Sequence, residues 1–242
     1  MNLAHNKNQI TKMQGEDSIQ SSAYLLTKGL PVNSFFMYEY AGVNSLGQSM
    51  WYKGDSTTTD YTALTNRDKK LFSSPFRDIE GSMSNNITYR NLDLSFTFTF
   101  GLGGKNYDQT YANLMSGGVE RRGNAMHADL LNSWTKAGDE NNADVVPKFT
   151  YGTAGTYVGA VSSRFLVSNS FLKLRNINFG YTFSNKMLKN SSFKSIRVYY
   201  AMDNVLNFAA RQGLDVTSTF FGANSFTYFP YRTYVVGVNV GL

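Results

Sequence analysis

Hydrophobic and polar residues alternate along several stretches of the chain. At positions 91–100 every even residue is Leu or Phe, and every odd residue is Asn, Asp, Ser or Thr. Positions 177–183, 196–203 and 234–242 show a similar alternation. A period of two residues is typical of β-strands whose two faces meet different surroundings. The chain is therefore predicted to be all-β and built from antiparallel strands.

These patterns predict about seven strands, at about 2–14, 32–41, 81–90, 92–103, 170–183, 193–204 and 228–242. The alternation slips at Leu172 and Leu174, which differ in parity from Ile177. A β-bulge near Arg175 would return these side chains to one face. Positions 111–120 are the best helical candidate, in a short segment that contains two adjacent glycines.

The connections between the predicted strands differ greatly in length. If consecutive strands run up and down, the long connections 42–80, 104–169 and 205–227 all lie at one end of the sheet, and the link 15–31 lies at the other. Short turns at one end and long loops at the other are typical of outer-membrane β-barrels, and strands of about ten residues suit a tilted membrane crossing. The even residues of 92–100 are then expected to face lipid, and the odd residues an aqueous lumen.

Composition adds limits to this interpretation. Aromatic residues make up 15% of the chain and charged residues only 17%, against roughly 25% charged residues in a typical soluble domain. There is no Cys, which excludes disulfides and thiol chemistry. The net charge of +6 comes from scattered residues and gives no nucleic-acid-binding stripe. No N-terminal signal-peptide pattern and no apolar run of roughly 20 residues is visible.

Six segments resemble one protein family in the order in which they occur. They are HNKNQITKM, ITYRNLDLSFTFTFGLGGKNYD, WTKAGDENNADVVPKF, SNSFLKLRNINFGYTF, RVYYAMDNVLNF and PYRTYVVGVNVGL. They are similar to motifs of SusC/RagA-type TonB-linked outer-membrane proteins, also called TonB-dependent receptors. In the third segment Lys148 stands where that family usually has Arg, and the last strand ends in Leu242 rather than in the usual aromatic residue.

The resemblance implies a fold and a function that this chain supplies in part. The family forms a transmembrane β-barrel of 22 strands, filled by an N-terminal plug, in the bacterial outer membrane. It imports glycans or peptides with energy from TonB, beneath a lid formed by a SusD-like surface lipoprotein. Residues 1–242 match the C-terminal segment of such a barrel, and we expect the plug, the TonB box and the signal peptide to be absent.

Seven strands are not expected to form a barrel on their own. In hydrocarbon each unpaired backbone group costs several kcal/mol, and single-chain bacterial barrels have even strand numbers from eight upwards. An open sheet of this size would therefore need further strands from another polypeptide. We expect the chain to be a barrel fragment that contacts outer-membrane lipid and does not transport alone.

Four aromatic residues in the long connections are the candidate ligand contacts: Trp51, Tyr52, Trp134 and Tyr151. Aromatic rings bury large areas and can stack on the apolar faces of sugars. They are expected to contact an oligosaccharide or a peptide, although aromatic rings also pack loops together or form the interfacial girdle. Another dense aromatic group, at 220–229, is expected to lie in the girdle or under the lid.

No catalytic, cofactor or metal site is predicted. The adjacent Asp139 and Glu140 do not define a catalytic pair, and His5 and His127 lack metal-ligand spacing. The GLGGK segment at 101–105 lacks the spacer of a phosphate-binding loop and is expected to be a strand end.

Two alternatives remain open at this stage. The first is a secreted or surface β-sandwich that binds carbohydrate, with the even residues of 92–100 packed inward. The second is a glycan-cleaving enzyme, which would need two carboxylates that converge in a cleft. The basic pairs Lys69–Lys70 and Arg121–Arg122 are expected in loops, where they are solvated or contact lipopolysaccharide or a partner.

Overall fold

The computed structural model describes residues 1–117, 125–152, 157–189 and 192–242. Within these ranges the strands are β1 (Asn2–His5), β2 (Ser18–Ser21), β3 (Tyr24–Thr27), β4 (Ser34–Tyr38), β5 (Tyr40–Val43), β6 (Ser49–Lys53), β7 (Ser56–Thr58), β8 (Lys69–Leu71), β9 (Ile79–Tyr89), β10 (Leu92–Leu102), β11 (Lys105–Asp108), β12 (Leu166–Ser168), β13 (Phe171–Thr182), β14 (Ser195–Phe208), β15 (Ala223–Asn224) and β16 (Thr233–Gly241). The α-helices are α1 (Gln109–Met115) and α2 (Asn185–Leu188). Short 3-10 helices lie at Tyr61–Ala63, Asn66–Asp68, Ala128–Asn132, Asp139–Asn141, Tyr157–Gly159 and Ser163–Phe165. No helix in the described ranges is long and apolar enough to cross a membrane.

Six strands form one large antiparallel sheet in the order β1-β9-β10-β13-β14-β16. Consecutive strands of this sheet are neighbours, so the chain runs up and down through it. Three long connections, 6–78, 103–170 and 209–232, leave from one end, which we call the loop end. The connections at the other end, the turn end, are short. The predicted separation of long loops from short turns is therefore confirmed for this sheet.

The strand register gives the large sheet one apolar and one polar face. Phe96 of β10 pairs with Ile177 of β13, which pairs with Met202 of β14. One residue along, Ser95 pairs with Asn178. Arg175 is skipped in the pairing of β13 with β10 and also in its pairing with β14, so the predicted bulge is confirmed. Because of this shift, the side chains before and after the bulge lie on the same apolar face.

The number of strands and the place of the second predicted strand were wrong. The described residues form sixteen strands rather than about seven, and the large sheet of six does not close into a barrel. The predicted strand at 32–41 lies in a small four-stranded sheet with β2, β3 and β8. Its alternating residues Phe35 and Met37 are buried in a core of their own, so the link 15–31 belongs to the first long connection.

Two further boundaries differ from the expectations. Of the predicted strand at 2–14, only β1 forms, and it pairs with β9. The helical candidate at 111–120 overlaps α1, which begins at Gln109 and ends at Met115, and positions 118–120 lie outside the described residues. The Asp108 carboxylate accepts a hydrogen bond from the Tyr111 amide at 2.9 Å. A carboxylate at this position stabilises the first turn of a helix.

The hydrophobic core lies in the long connections and not against the large sheet. We call the described parts of the three connections the loop cap. Its buried core consists of Ala23, Phe35, Met37, Tyr107, Tyr111, Ala112, Met115, Val146 and Phe165. The even side chains of β10 are absent from this core and are partly exposed. The sandwich alternative requires them to be buried against a second sheet, and the fold does not provide that burial.

The loop cap is held to the large sheet through Arg77. Its guanidinium donates to the Asn169 carbonyl oxygen at 2.7 Å, to the Asn169 side-chain oxygen at 3.0 Å and to the Val216 carbonyl oxygen at 2.7 Å. It also forms an ion pair with Glu80 of β9 at 2.6 Å. One side chain thus joins all three connections where they leave the sheet.

The GLGGK segment is a strand end, as predicted. A Cβ atom on Gly101 would lie 2.4 Å from the Arg77 side chain, so glycine leaves room for the arginine. Gly103 and Gly104 have φ angles of 91° and 70°, which side chains rarely adopt. The glycines therefore allow β10 to turn sharply beneath the loop cap.

Candidate ligand-binding groove

An open groove of about 550 Å³ lies between the first and second long connections. Its lining residues are Leu46, Gly47, Gln48, Ser49, Trp51, Thr59, Pro147, Lys148, Phe149, Thr150, Tyr151, Tyr157 and Val158. Two of the four predicted ligand contacts, Trp51 and Tyr151, are among them. Residues about 100 positions apart in sequence thus form one surface.

Trp51 forms the buried base of this groove. It is only 2% exposed, and its ring lies 5.2 Å from the ring of Tyr61, which stacks on Tyr157 at 5.3 Å. Burial raises the pKa of Tyr61 to about 12, so its hydroxyl stays neutral. The Trp51 indole N–H is buried and has no hydrogen-bond partner among the described residues. A polar group in this state is costly unless a ligand or water accepts its hydrogen bond.

Tyr151 is the exposed aromatic side chain of the groove. It is 60% exposed, and its ring forms a T-shaped pair with the ring of Phe149, 4.9 Å apart between ring centroids. The ring is therefore held by Phe149, and much of its surface stays exposed. This arrangement suits stacking against the flat face of a ligand.

Trp134 stands directly behind the groove lining. A Cβ atom on Gly47 would lie 2.5 Å from the Trp134 ring, so the glycine permits close packing. The Lys148 amide donates to the Gly47 carbonyl at 2.7 Å, and the Lys148 ammonium lies 5.8 Å from the centre of the Trp134 ring. This contact is within the range of a cation–π interaction. Trp134 thus positions the cation at the edge of the groove.

Asp139 and Glu140 hold the loop that carries Trp134. Asp139 accepts hydrogen bonds from the Thr135 amide, the Thr135 hydroxyl and the Lys136 amide, at 2.8 to 3.0 Å. Glu140 accepts from the Trp134 indole N–H at 3.0 Å and from the Gly138 amide at 2.8 Å. Hydrogen bonds from backbone amides are the leading reason that the pKa values of both carboxyls are lowered. Both groups are engaged in structure, and they do not converge on a cleft as catalytic acids would.

Tyr52 lies outside the groove. It follows Trp51 on β6, and successive side chains of a strand point to opposite sides. Its ring is 39% exposed and lies 5.1 Å from the Lys70 ammonium, which forms an ion pair with Glu39 at 2.5 Å. The structure therefore places Tyr52 apart from the other three candidates.

The remaining candidate residues have structural contacts. His5 Nδ1 lies 2.6 Å from the Asp78 carbonyl oxygen, and His127 Nδ1 accepts from the Asp129 amide at 3.1 Å. No group of three metal-ligating side chains occurs in the described residues. Arg121 and Arg122 lie outside the described residues.

The groove also contains residues that sequence reasoning did not single out as ligand contacts. Tyr157 and Pro147 join it through the fold of the second connection. Lys148 was visible only as a departure from the usual arginine of the third motif. The spacing of these residues along the chain gave no signal that they share one surface.

The chain is similar to TonB-dependent receptors over nearly its whole length. TonB-dependent receptor P3 of Formosa agariphila is 25% identical over 272 positions, which cover 99% of this chain and 26% of that relative. TonB-dependent receptor SusC of Bacteroides thetaiotaomicron is 26% identical, with 88% of this chain and 21% of SusC covered. The chain thus spans about a quarter of the length of the curated relatives it matches. No family model matches it.

The fold is also similar to solved structures. A structure of the RagAB peptide transporter superposes with a TM-score of 0.77 at 24% identity, covering 98% of this chain and 26% of the transporter chain. The closed-closed state of the RagAB peptide importer gives a TM-score of 0.78. These comparisons confirm the resemblance to SusC/RagA-type TonB-dependent receptors. Such receptors are outer-membrane β-barrel proteins, so the expected outer-membrane localisation is confirmed as well.

Proposed function

We propose, from this likeness to TonB-dependent receptors, that the chain forms the C-terminal barrel segment of an outer-membrane nutrient importer. The observation that carries the proposal is the apolar face of the large sheet. Its side chains pair in register across the strands, and the core of the protein lies elsewhere. Such an apolar face fits contact with lipid, and the polar face would then line a lumen.

The proposed role is transport and not catalysis. The carboxylates Asp139 and Glu140 order a loop, and the curated relatives are named as receptors. In the complete importer, TonB would supply energy through a segment of the receptor that lies outside the part similar to this chain. A SusD-like surface lipoprotein would cover the loop cap, a partnership supported by the likeness to SusC and to RagAB.

The chain is proposed to need further strands to form a barrel. Both edge strands of the large sheet, β1 and β16, lack a partner on one side among the described strands. Unpaired backbone groups cost several kcal/mol each in hydrocarbon. Strands from the rest of the importer would satisfy these two edges, so the chain alone is not expected to transport.

The groove is proposed to contact the imported oligosaccharide or peptide. Tyr151 offers an exposed aromatic ring and Lys148 a cation, above the buried ring of Trp51. Stacking combined with a few fixed polar groups is typical of ligand sites. A glycan is the first candidate because a sugar ring presents a flat apolar face together with hydroxyl groups. A peptide is the second candidate, since the similar RagAB structures are described as those of a peptide transporter.

Membrane fractionation and ligand binding test the two parts of this proposal. We expect the chain, produced with the remaining segments of a related receptor, to fractionate with the outer membrane and to resist extraction by alkaline carbonate. A compact monomer soluble in buffer would contradict the membrane assignment.

Oligosaccharide and peptide arrays then test the groove. We expect Tyr151→Ala to weaken binding about tenfold, and Tyr231→Ala, an exposed tyrosine outside the groove, to leave it unchanged. Equal binding by both variants would contradict the ligand assignment.

A further inference from the structure

Two short turns of the large sheet lie side by side at its turn end. One turn joins β9 to β10 through Arg90 and Asn91, and the other, 183–194, joins β13 to β14 and contains α2. The Thr182 amide, at the end of β13, donates to the Asn91 carbonyl oxygen at 2.8 Å. The second turn therefore begins directly beside the first.

These two turns carry four cationic side chains and no acidic one. By sequence, positions 89–92 and 183–195 contain no Asp or Glu. The cations are all exposed, and within the described residues none of them forms an ion pair; they are Arg90, Lys186, Lys189 and Lys194. The first acid of β10, Asp93, is already paired with Arg197. Four positive charges of a chain whose net charge is +6 thus meet at one end of the sheet.

The cationic turns adjoin the apolar face of the sheet. Leu92 pairs in register with Tyr89 on one side and with Tyr181 on the other, so both tyrosines lie on that face at its turn end. The Arg90 guanidinium lies 5.2 Å from the centre of the Tyr89 ring. The Tyr181 hydroxyl donates to the Met187 sulfur at 3.8 Å, which places α2 at the edge of the same face. Tyr89 and Met187 are 64% and 60% exposed.

This combination of groups is suited to the surface of a lipid leaflet. Tyrosines at the end of an apolar band mark the membrane interface of a barrel. Lysine and arginine side chains just beyond that band lie at the depth of the headgroups, where each of them strengthens binding to anionic lipid. A zwitterionic headgroup brings its own cation and therefore gains less from four uncompensated positive charges.

We propose that the turn-end patch, formed by the four cations with Tyr89, Tyr181 and Met187, binds anionic phospholipid headgroups of the inner leaflet of the outer membrane. The guanidinium and ammonium groups pair with phosphate oxygens. The exposed rings and the thioether contact the first segments of the acyl chains. The inference rests on the proposed function, since the short turns of an outer-membrane barrel face the periplasm.

Lipid binding to the assembled protein tests this inference. The chain, assembled with the remaining receptor segments, is purified in a neutral detergent, and bound lipid is counted by native mass spectrometry. The probes are phosphatidylglycerol and phosphatidylcholine with the same acyl chains. We expect phosphatidylglycerol to bind about tenfold more tightly, and the preference to shrink as the salt concentration rises.

Matched variants assign the preference to the turn-end patch. The test variant removes its four charges by Arg90→Gln, Lys186→Gln, Lys189→Gln and Lys194→Gln. The control removes four charges from exposed residues of the first connection by Lys12→Gln, Lys28→Gln, Lys53→Gln and Arg67→Gln. We expect the test variant to lose most of the preference and the control to keep it. A third variant, with Arg90→Lys and the three lysines changed to arginine, is expected to keep it as well.

Three results would overturn the proposal. The first is an unchanged preference in the test variant, and the second is an equal loss in the test variant and the control, which would reflect net charge alone. The third is complete displacement of the lipid by soluble polyglutamate at the same concentration of charge. That result would identify an acidic macromolecule of the periplasm as the partner instead.

The outcomes also separate this inference from the proposed function. A protein that fractionates with the membrane but shows no preference for phosphatidylglycerol retains the importer assignment and overturns the role of the turn-end patch. A protein that remains soluble in buffer overturns both, and the fractionation result alone identifies that case.

Discussion

The guanidinium of Arg77 donates hydrogen bonds to two oxygens of Asn169, the backbone carbonyl oxygen and the side-chain oxygen. Asn169 is 3% exposed, and its amide donates in turn to the Pro75 carbonyl oxygen at 2.6 Å. The two residues are 92 positions apart in sequence. Their contact joins the first and second connections at the loop end of β10.

Replacing Arg77 by Leu is expected to loosen the loop cap. The change leaves the carbonyl oxygens of Asn169 and Val216 without their charged donor, and buried acceptors without partners cost about 1–3 kcal/mol each. Hydrogen exchange of the assembled protein should show faster exchange in the second and third connections and unchanged exchange in β13. Arg67→Leu is the control, and equal exchange in both variants would contradict the assigned role of Arg77.

A side chain at Gly180 is expected to displace an ion pair on the polar face of the sheet. A Cβ atom there would lie 2.4 Å from the Arg197 guanidinium and 2.5 Å from the Asp93 carboxylate. These two groups form an ion pair across β13 on the polar face. We expect Gly180→Val to break this ion pair and to reduce the folded fraction more than a substitution that leaves the pair intact, measured by resistance to protease in the membrane. Ser95→Val on the same face is the control, and a folded yield equal to that control would argue against the close approach.

Adjacent residues of β10 provide a test of the two faces. Phe96→Lys places a charge on the apolar face, where lysine costs about 2–4 kcal/mol at the bilayer midplane. Thr97→Lys places the same charge on the polar face and is expected to cost little. The fraction that inserts into membranes measures the difference. If the two lysines reduce insertion equally, the assignment of lipid and lumen to these faces is wrong.

The loop that carries Trp134 is expected to lose its order in acid. Hydrogen bonds from the Thr135 and Lys136 amides lower the pKa of Asp139 in the folded loop. A depressed carboxyl pKa gives stability that is present above the unfolded value of about 3.9 and is lost as the pH falls through the folded value. The NMR signal of the Trp134 indole N–H, which bonds to Glu140, should therefore change below about pH 4.

A substitution separates Asp139 from other acidic groups in this experiment. Asp139→Asn is expected to disturb the Trp134 signal already at pH 7, because the amide replaces an ionised acceptor of three hydrogen bonds. Asp144→Asn, in the same segment, should leave the signal unchanged. A Trp134 signal that Asp139→Asn leaves unchanged at pH 7 would contradict the role of Asp139.

The sequence predicted the large sheet well because its physical cause is local. Each strand must present one face to apolar surroundings and the other to polar surroundings. Residues two positions apart in the sequence lie on the same face and therefore have the same polarity. The bulge at Arg175 was also predictable, since it is the place where the parity changes. The same rule misplaced 32–41, because Phe35 and Met37 alternate as lipid-facing residues do but are buried inside the loop cap.

The groove was predicted only in part because its contacts are not local. Trp51, Trp134 and Tyr151 were candidates as aromatic residues in long connections, and the structure brings them close to one another. Tyr52 was an equally good candidate by sequence, but the alternation of β6 directs it elsewhere. Arg77 gave no signal, because its partners come from all three connections and only the folded chain brings them together.

The contacts of Arg77 limit how this protein can change over time. A single loop taken from a related receptor would have to follow the same backbone path, because two of the acceptors of Arg77 are the backbone carbonyl oxygens of Asn169 and Val216. Under the proposed function, new ligand preferences are therefore expected to arise by point substitutions along the groove, or by replacement of the three connections as one inherited block.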